Sequence, residues 1–203
     1  MAELTGWIDY DRPHLAALTP DERVRYFEKR TRYVALNPLC RILATEVNPK
    51  NEAGEAIQES SALLIFGVAL CCSIESLGKF LSGDIKRKVL NQDRFYRFLH
   101  KYMNPEYQTL KIGAETYGEI LWKYFRNGLA HGFAVCHGGY EGGHGSPYFV
   151  VKGSSLEINP TLLLDDLSQG FHKYLGDLRA CSASDPLFMA FDAVFEDVFI
   201  KGN

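Results

Sequence analysis

The sequence has no strong excess of charge of either sign. Its 22 lysines and arginines stand against 25 aspartates and glutamates, which gives a net charge of −3 at pH 7. A protein that binds nucleic-acid backbones tightly and without sequence preference is usually strongly basic. The composition therefore argues against that class. A local group of cationic side chains can still act on RNA within an acidic chain.

Cysteine and long apolar runs are also scarce. The five cysteines lie at irregular positions and form no disulfide framework. Cys71 and Cys72 fall within the longest apolar run, residues 62–72, and are interpreted as core residues. That run is shorter than the roughly 20 residues that cross a bilayer. Residues 1–7 lack the features of a signal peptide. We therefore expect a cytoplasmic protein with no membrane partner.

The sequence contains no phosphate-binding glycine motif, no nucleophile elbow and no internal repeat. Residues 132–145 are rich in glycine and carry Cys136, His137 and His144, but the spacing matches no closed zinc site. We expect no metal and no cofactor. The region is interpreted as a mobile loop, either a flap on the substrate side or simply surface.

Apolar residues make up 46% of the chain and aromatic residues 13%, enough for a real core in one domain spanning residues 1–203. Capping residues and 3.6-residue periodicity predict a mostly α fold, an up-and-down helical bundle. The expected helices are 20–36, 55–81, 84–103, 106–130, 160–179 and one from 186, with an irregular N-terminal arm at 1–19 and a loop-rich connection at 37–55. A small β-hairpin, 149–151 with 156–158, follows the glycine-rich loop inside the insertion 132–160.

The helix expected at 106–130 ends in a group of polar residues. On a straight α-helix Arg126 and His131 lie roughly 140° apart with a rise of about 7.5 Å, and Asn127 points between them. Lys123 lies one turn before Asn127, so the four side chains form one polar stripe. The opposite face is apolar and aromatic, which is typical of a helix that packs on a core. Its residues are Tyr117, Leu121, Tyr124, Phe125 and Gly128.

The string Arg126-Asn127-Gly128-Leu129-Ala130-His131 resembles the Rx4-6H motif of the HEPN superfamily (higher eukaryotes and prokaryotes nucleotide-binding). Members of that superfamily are compact helical domains, and many are metal-independent endoribonucleases of toxin–antitoxin and phage-defence systems. The resemblance implies a homodimer that places two motifs across one cleft, an RNA or nucleotide ligand, and for some members a neutralising antitoxin partner. The expected helical fold of the superfamily would extend over about residues 56–180, whereas the motif residues themselves are confined to 126–131.

These residue types suit RNA cleavage. His131 can exchange a proton near neutral pH, with a ribose 2′-hydroxyl or a leaving 5′-oxygen. Arg126 can hold the scissile phosphate, and Asn127 can position the phosphate or the imidazole. Lys123 is expected to bind substrate. Glu75 is expected either at the edge of the core or as a partner that orients Arg126 or His131 within the substrate site.

Two alternatives remain open at this point. In the first, these residues only terminate the helix. A cation near the C-terminus complements the helix dipole, and Gly132 takes the left-handed position that follows the last turn. The chain can also be a HEPN-like module without catalytic activity that binds a nucleotide or a protein partner.

Overall fold

The computed structural model of the protein describes residues 11–46, 61–86, 88–128, 138–140 and 147–202. Helices dominate this part of the chain, which confirms the mostly α class; a HEPN-like bundle remains a prediction. The helices are α1 (Arg12–Ala16), α2 (Pro20–Thr31), α3 (Asn37–Glu46), α4 (Ser61–Ser82), α5 (Asn91–Tyr102), α6 (Glu106–Thr109), α7 (Tyr117–Ile120), α8 (Pro160–Ala180) and α9 (Pro186–Phe195). The strands are β1 (Lys111–Ile112), β2 (Glu115–Thr116), β3 (Gly138–Tyr140), β4 (Phe149–Lys152) and β5 (Ser155–Ile158). Segments with the wider π-helical hydrogen bonding continue α2, α7 and α9: Arg32–Leu36, Leu121–Asn127 and Glu196–Lys201.

Helix α2 begins where the sequence predicts. The Thr19 hydroxyl accepts a hydrogen bond from the Glu22 backbone N–H at 3.4 Å, and the Glu22 carboxylate accepts one from the Thr19 N–H at 2.8 Å. This reciprocal capping box satisfies two backbone donors at the helix start. The predicted stop before Pro38 is wrong, because helical backbone continues through Arg32–Leu36 into α3. The proline ring would press on a carbonyl four residues earlier in a regular α-helix, and the wider π turn absorbs that conflict.

The expected irregular arm is partly helical. Pro13 lies in the first turn of α1, where a proline is tolerated because the first N–H groups of a helix have no intrahelical acceptor. The Asp11 carboxylate caps this turn by accepting a hydrogen bond from the His14 N–H at 3.0 Å. Leu15 is buried and anchors the segment in the core. Residues 1–10 lie outside the described part.

Helix α4 is the longest described helix and packs most extensively on α5. Phe66, Leu70 and Ile74 on its inner face are fully buried. A Cβ atom on Gly78 would lie 1.8 Å from the backbone oxygen of Arg94, so this glycine permits the close approach of the two helices. The helix is not buried on all sides, because Ile65 is 62% exposed. Of the two cysteines predicted in the core, Cys71 is buried as predicted, whereas the prediction for Cys72 is wrong because that residue is exposed.

The Leu63–Ser82 part of α4 is long and apolar enough to cross a bilayer by length and composition. The sequence-based estimate counted only the uninterrupted apolar run and so missed this property. The core helix of a soluble protein passes the same test, and 44% of the window is buried inside this fold. The helix therefore gives little support to a membrane span.

A polar loop separates α4 from α5, so the predicted helix start at Asp84 is wrong. The Asp84 carboxylate accepts hydrogen bonds from the backbone N–H groups of Lys88 and Val89 at 3.0 and 3.1 Å, and from Arg94 Nε at 3.2 Å. Burial opposes the charged form, but these donors outweigh it and lower the pKa of Asp84. The loop is thereby tied to α5, which begins only at Asn91.

Two small sheets interrupt the helices. The predicted hairpin is confirmed as β4 and β5, with Phe149 opposite Ile158, and β3 pairs in parallel with β5 to complete the order β3-β5-β4. Strand β3 lies within the region expected to be a loop, which is a correction. The hairpin β1–β2, which turns at Gly113 with a φ of 60°, also replaces expected helix. Cys136, His137 and His144 lie outside the described residues.

Aromatic rings join the N- and C-terminal helices. The ring centroid of Phe27 lies 4.4 Å from that of Phe80, 5.7 Å from that of Phe171 and 5.3 Å from that of Phe191. These contacts bring α2, α4, α8 and α9 together in one core cluster. The predicted starts of α8 and α9 at Pro160 and Pro186 are confirmed.

Candidate functional site

The helix that carries the motif begins at Tyr117, later than predicted. Thr116 and Glu119 form a capping box there, with the Glu119 carboxylate 2.6 Å from the Thr116 N–H. The predicted apolar back is confirmed at Tyr117, Leu121 and Phe125, which are buried, whereas Tyr124 and Gly128 are only partly buried. The backbone over Leu121–Asn127 is π-helical and not the straight α-helix on which the polar stripe was calculated, so the angles between the polar side chains change.

Arg126 lies at the edge of the core and has three partners. Its Nη2 is 2.9 Å from the Glu75 carboxylate on α4, and its Nη1 donates to Asn127 Oδ1 at 3.1 Å. The guanidinium carbon lies 4.8 Å from the centre of the Trp122 ring, within the range of a cation–π contact. The side chains of Arg126 and Glu75 are 18% and 16% exposed. Glu75 was expected either at the edge of the core or as a partner that orients Arg126. Its 2.9 Å contact with the guanidinium matches the second interpretation.

The Nε atom of Arg126 is buried and has no hydrogen-bond partner among the described residues. A buried guanidinium N–H without an acceptor is costly, because the group has lost its hydrogen bonds to water. The Arg126 side chain is therefore held by the ion pair, the amide and the ring, while its Nε donor is not used by any described residue.

Lys123 binds a different carboxylate. Its ammonium lies 2.7 Å from Glu115 Oε1 and 4.8 Å from the centre of the Tyr124 ring, while Tyr124 donates a hydrogen bond to Glu115 Oε2 at 3.1 Å. The hydrogen bond to Glu115 favours the charged ammonium and raises the pKa of Lys123. At 57% exposure, the lysine stands in solvent. The two cations of the predicted stripe thus have separate acidic partners.

His131 lies outside the described residues, as do Leu129 and Ala130. Of the predicted site residues, the structure brings Glu75, Arg126 and Asn127 into contact. Lys123 instead binds the carboxylate of Glu115. The described residues contain no group of three or more potential metal ligands.

A polar cleft of about 330 Å³ opens beside Asn127. It is lined by residues of α5, of the β1–β2 hairpin and of the motif helix: Gln92, Tyr96, Ala114, Glu115, Glu119, Trp122, Lys123 and Asn127. Sequence reasoning missed Tyr96, Glu115 and Glu119. One signal was available, because the Thr116-x-x-Glu119 spacing is that of a capping box and marks a helix start at this position.

A second polar cluster contains none of the predicted site residues. The Tyr148 hydroxyl donates to Asp166 Oδ2 at 2.9 Å and lies 2.8 Å from the Tyr107 hydroxyl, and the Asn104 N–H donates to the same carboxylate at 3.0 Å. Burial is the largest influence on Asp166 and raises its pKa, although these hydrogen bonds act in the opposite direction. The cluster ties α8 to α6 and to the start of β4.

Comparison with known proteins finds no protein family, curated protein or solved structure that matches this chain. The likeness to the HEPN motif therefore depends on the residues 126–131 themselves.

Proposed function

We propose that this protein is a metal-independent endoribonuclease of the HEPN type, with a defence or toxin-like role. The observation that supports the proposal is the fixed position of Arg126, which Glu75, Asn127 and Trp122 hold on a helix whose Leu121 and Phe125 are fully buried. A guanidinium held in place before substrate arrives stabilises a phosphate without reorganisation cost. The chain reaches His131 five positions later.

In the proposed reaction an imidazole takes the proton of the ribose 2′-hydroxyl, and the 2′-oxygen attacks the adjacent phosphorus. The bond from phosphorus to the 5′-oxygen breaks, and a second imidazole gives a proton to that leaving oxygen. Arg126 offsets the charge on the pentacoordinate phosphorus. Asn127 and Lys123 contact the substrate, and Glu75 keeps Arg126 oriented.

One chain supplies one motif histidine, whereas the reaction uses an acid and a base. We therefore propose a homodimer in which two copies of His131 and Arg126 face one RNA-binding groove, as the resemblance implies. A cytoplasmic location and a neutralising protein partner belong to the same proposal.

A module that binds a nucleotide or a protein without catalysis is the second candidate. The ion pair with Glu75 favours it, because a carboxylate 2.9 Å from the guanidinium already offsets the charge that a phosphate would meet. In this second case His131 only helps to end the helix.

RNA cleavage in the presence of EDTA separates the two candidates. We expect the wild-type chain to cut single-stranded RNA with EDTA present, and His131→Ala to lower the rate by about 10²- to 10⁴-fold. His172→Ala, which removes an exposed histidine of α8, is the matched control and should retain full activity. Arg126→Lys keeps the charge but loses the fork-shaped guanidinium, and should also be slow.

Cleavage that requires a metal ion, or that persists in His131→Ala, would contradict the mechanism. Sedimentation equilibrium gives the oligomeric state, and a strictly monomeric active enzyme would contradict the paired site. RNA binding without cleavage in all variants would favour the second candidate.

A further inference from the structure

Helix α4 has an apolar face that the described residues leave exposed. Ile65 is 62% exposed, and Cys72 and Ser76, seven and eleven positions later, are exposed as well. Ala69 lies between them and is only partly buried. On an α-helix these four positions, the α4 stripe, fall within about 60° of one another. No charged residue occurs in α4 before Glu75, so the stripe has the character of a helix face that packs against another helix.

The two sides of the α4 stripe have different neighbours. On one side, Glu75 lies about 60° round the helix from Cys72. Its carboxylate is 2.9 Å from the Arg126 guanidinium. On the other side an apolar groove of about 310 Å³ opens between α4, the π-helical continuation of α2 and the C-terminal π-helical segment. Val34, which is 54% exposed, belongs to the far wall of this groove and extends the apolar surface.

The spacing of the α4 stripe is the same from either end. Successive members are separated by four, three and four positions. If two copies of the helix pack antiparallel, Ile65 of one copy therefore meets Ser76 of the other, and Ala69 meets Cys72. Such an interface is isologous, because both copies use the same surface. Since the stripe carries no charge, the two copies meet without like-charge repulsion.

The direction of packing decides where the two copies of Arg126 lie. In an antiparallel pair the two-fold axis is perpendicular to the plane of the two helices, and a half-turn about it keeps each flank of the pair on its own side. Both arginines then lie along one flank, with the two Glu75 positions about 14 Å apart along the helices. In a parallel pair the axis follows the helices, and the two arginines fall on opposite flanks.

We propose that the α4 stripe is the interface between two copies of this chain, packed antiparallel with Ile65 of each copy against Ser76 of the other. The inference rests on the proposed function in one respect, because that reaction needs two motifs on the same side of the dimer. Burial of the exposed apolar side chains drives the association. A single RNA strand then passes along the flank that carries both copies of Arg126.

Sedimentation equilibrium of the full-length chain tests the interface. We expect a dimer for the wild type. Ile65→Glu and Cys72→Glu should each raise the dimer dissociation constant by about 100-fold or more, because each copy then buries a carboxylate without a partner. Both residues are exposed in the single chain, so the variants should keep its circular dichroism spectrum. Val151→Glu, at a 48% exposed position of β4, is the matched control and should remain a dimer.

Disulfide trapping tests the direction of packing. In a Cys72→Ser background, mild oxidation of the double variant Ile65→Cys/Ser76→Cys should join two chains by a bond between positions 65 and 76, identified by peptide mass spectrometry. These positions are about 16 Å apart along one helix and cannot pair within a chain. Ile65→Cys alone should form no bond between positions 65 of two copies, because antiparallel packing separates them by the same distance.

A monomeric wild type, a dimer that both glutamate variants leave intact, or a bond between two copies of position 65 would overturn this interface. A dimer through the α4 stripe that cuts no RNA would keep the interface and refute the proposed ribonuclease. RNA cleavage by a dimer that survives Ile65→Glu would refute the interface and keep the ribonuclease.

Discussion

The ion pair between Glu75 and Arg126 should couple the two side chains measurably. Their closest nitrogen and oxygen atoms are 2.9 Å apart, and the side chains are only 16% and 18% exposed. At an effective dielectric constant of about 20, two unit charges at this separation attract each other by roughly 6 kcal/mol before desolvation is counted. Most of that gain offsets the cost of removing both charges from water.

Removal of one partner leaves the other charge with little solvent. Fully buried pairs lose about 3–5 kcal/mol in such experiments, and the residual exposure of this pair reduces the expected loss. We expect Glu75→Gln to lower the free energy of unfolding by about 2 kcal/mol and the unfolding temperature by roughly 4–8 °C. The coupling energy with Arg126→Gln should be about 1–2 kcal/mol.

A double-mutant cycle measured by urea unfolding gives this coupling directly. The pair Glu115–Lys123 is the matched control, because its atoms are as close, 2.7 Å, while its side chains are 34% and 57% exposed. Its coupling should be several times smaller than that of the Glu75–Arg126 pair, because solvent screens exposed ion pairs. A coupling for Glu75–Arg126 at or below that of the control pair would refute the claim that Glu75 holds Arg126 in place.

Two further predictions concern stability. Gly78→Ala should destabilise the fold by about 3 kcal/mol or more, because its Cβ would lie 1.8 Å from the Arg94 backbone oxygen; Gly176→Ala, with nothing within 4 Å, should stabilise α8 by about 0.4–1 kcal/mol in the same urea titration. The raised pKa of Asp166 means that the native state binds more protons than the unfolded state above the ordinary aspartate pKa of about 3.9. Stability should therefore fall as the pH rises from that value through the raised pKa, by at most about 1.4 kcal/mol per pH unit for this group, and Asp166→Asn should remove that part of the dependence.

Each of these outcomes has a contrary result. Equal destabilisation by the two glycine substitutions would contradict the close helix contact at Gly78. Parallel plots of stability against pH for the wild type and Asp166→Asn, between about pH 4 and 8, would contradict the raised pKa of this carboxyl.

Local hydrogen bonding explains what the sequence determined by itself. The starts of α2, α8 and α9 follow from Thr19, Asn159 and Asp185, whose side chains bond backbone N–H groups within three positions along the chain. The β4–β5 hairpin follows from two short apolar segments, 149–151 and 156–158, joined by the polar turn Lys152-Gly-Ser-Ser155. Helical periodicity alone was enough to identify Leu121 and Phe125 as core residues of the motif helix.

Only the tertiary structure decided where the motif side chains go. Glu75 is 51 positions from Arg126 in the chain, so no local pattern could pair them, and the packing of the motif helix against α4 brings them together. The same holds for the parallel pairing of β3 with β5 and for the cleft between α5 and the β1–β2 hairpin. Caps and periodicity act over a few residues and set the elements, whereas the partners of a charge near the core depend on which elements pack together.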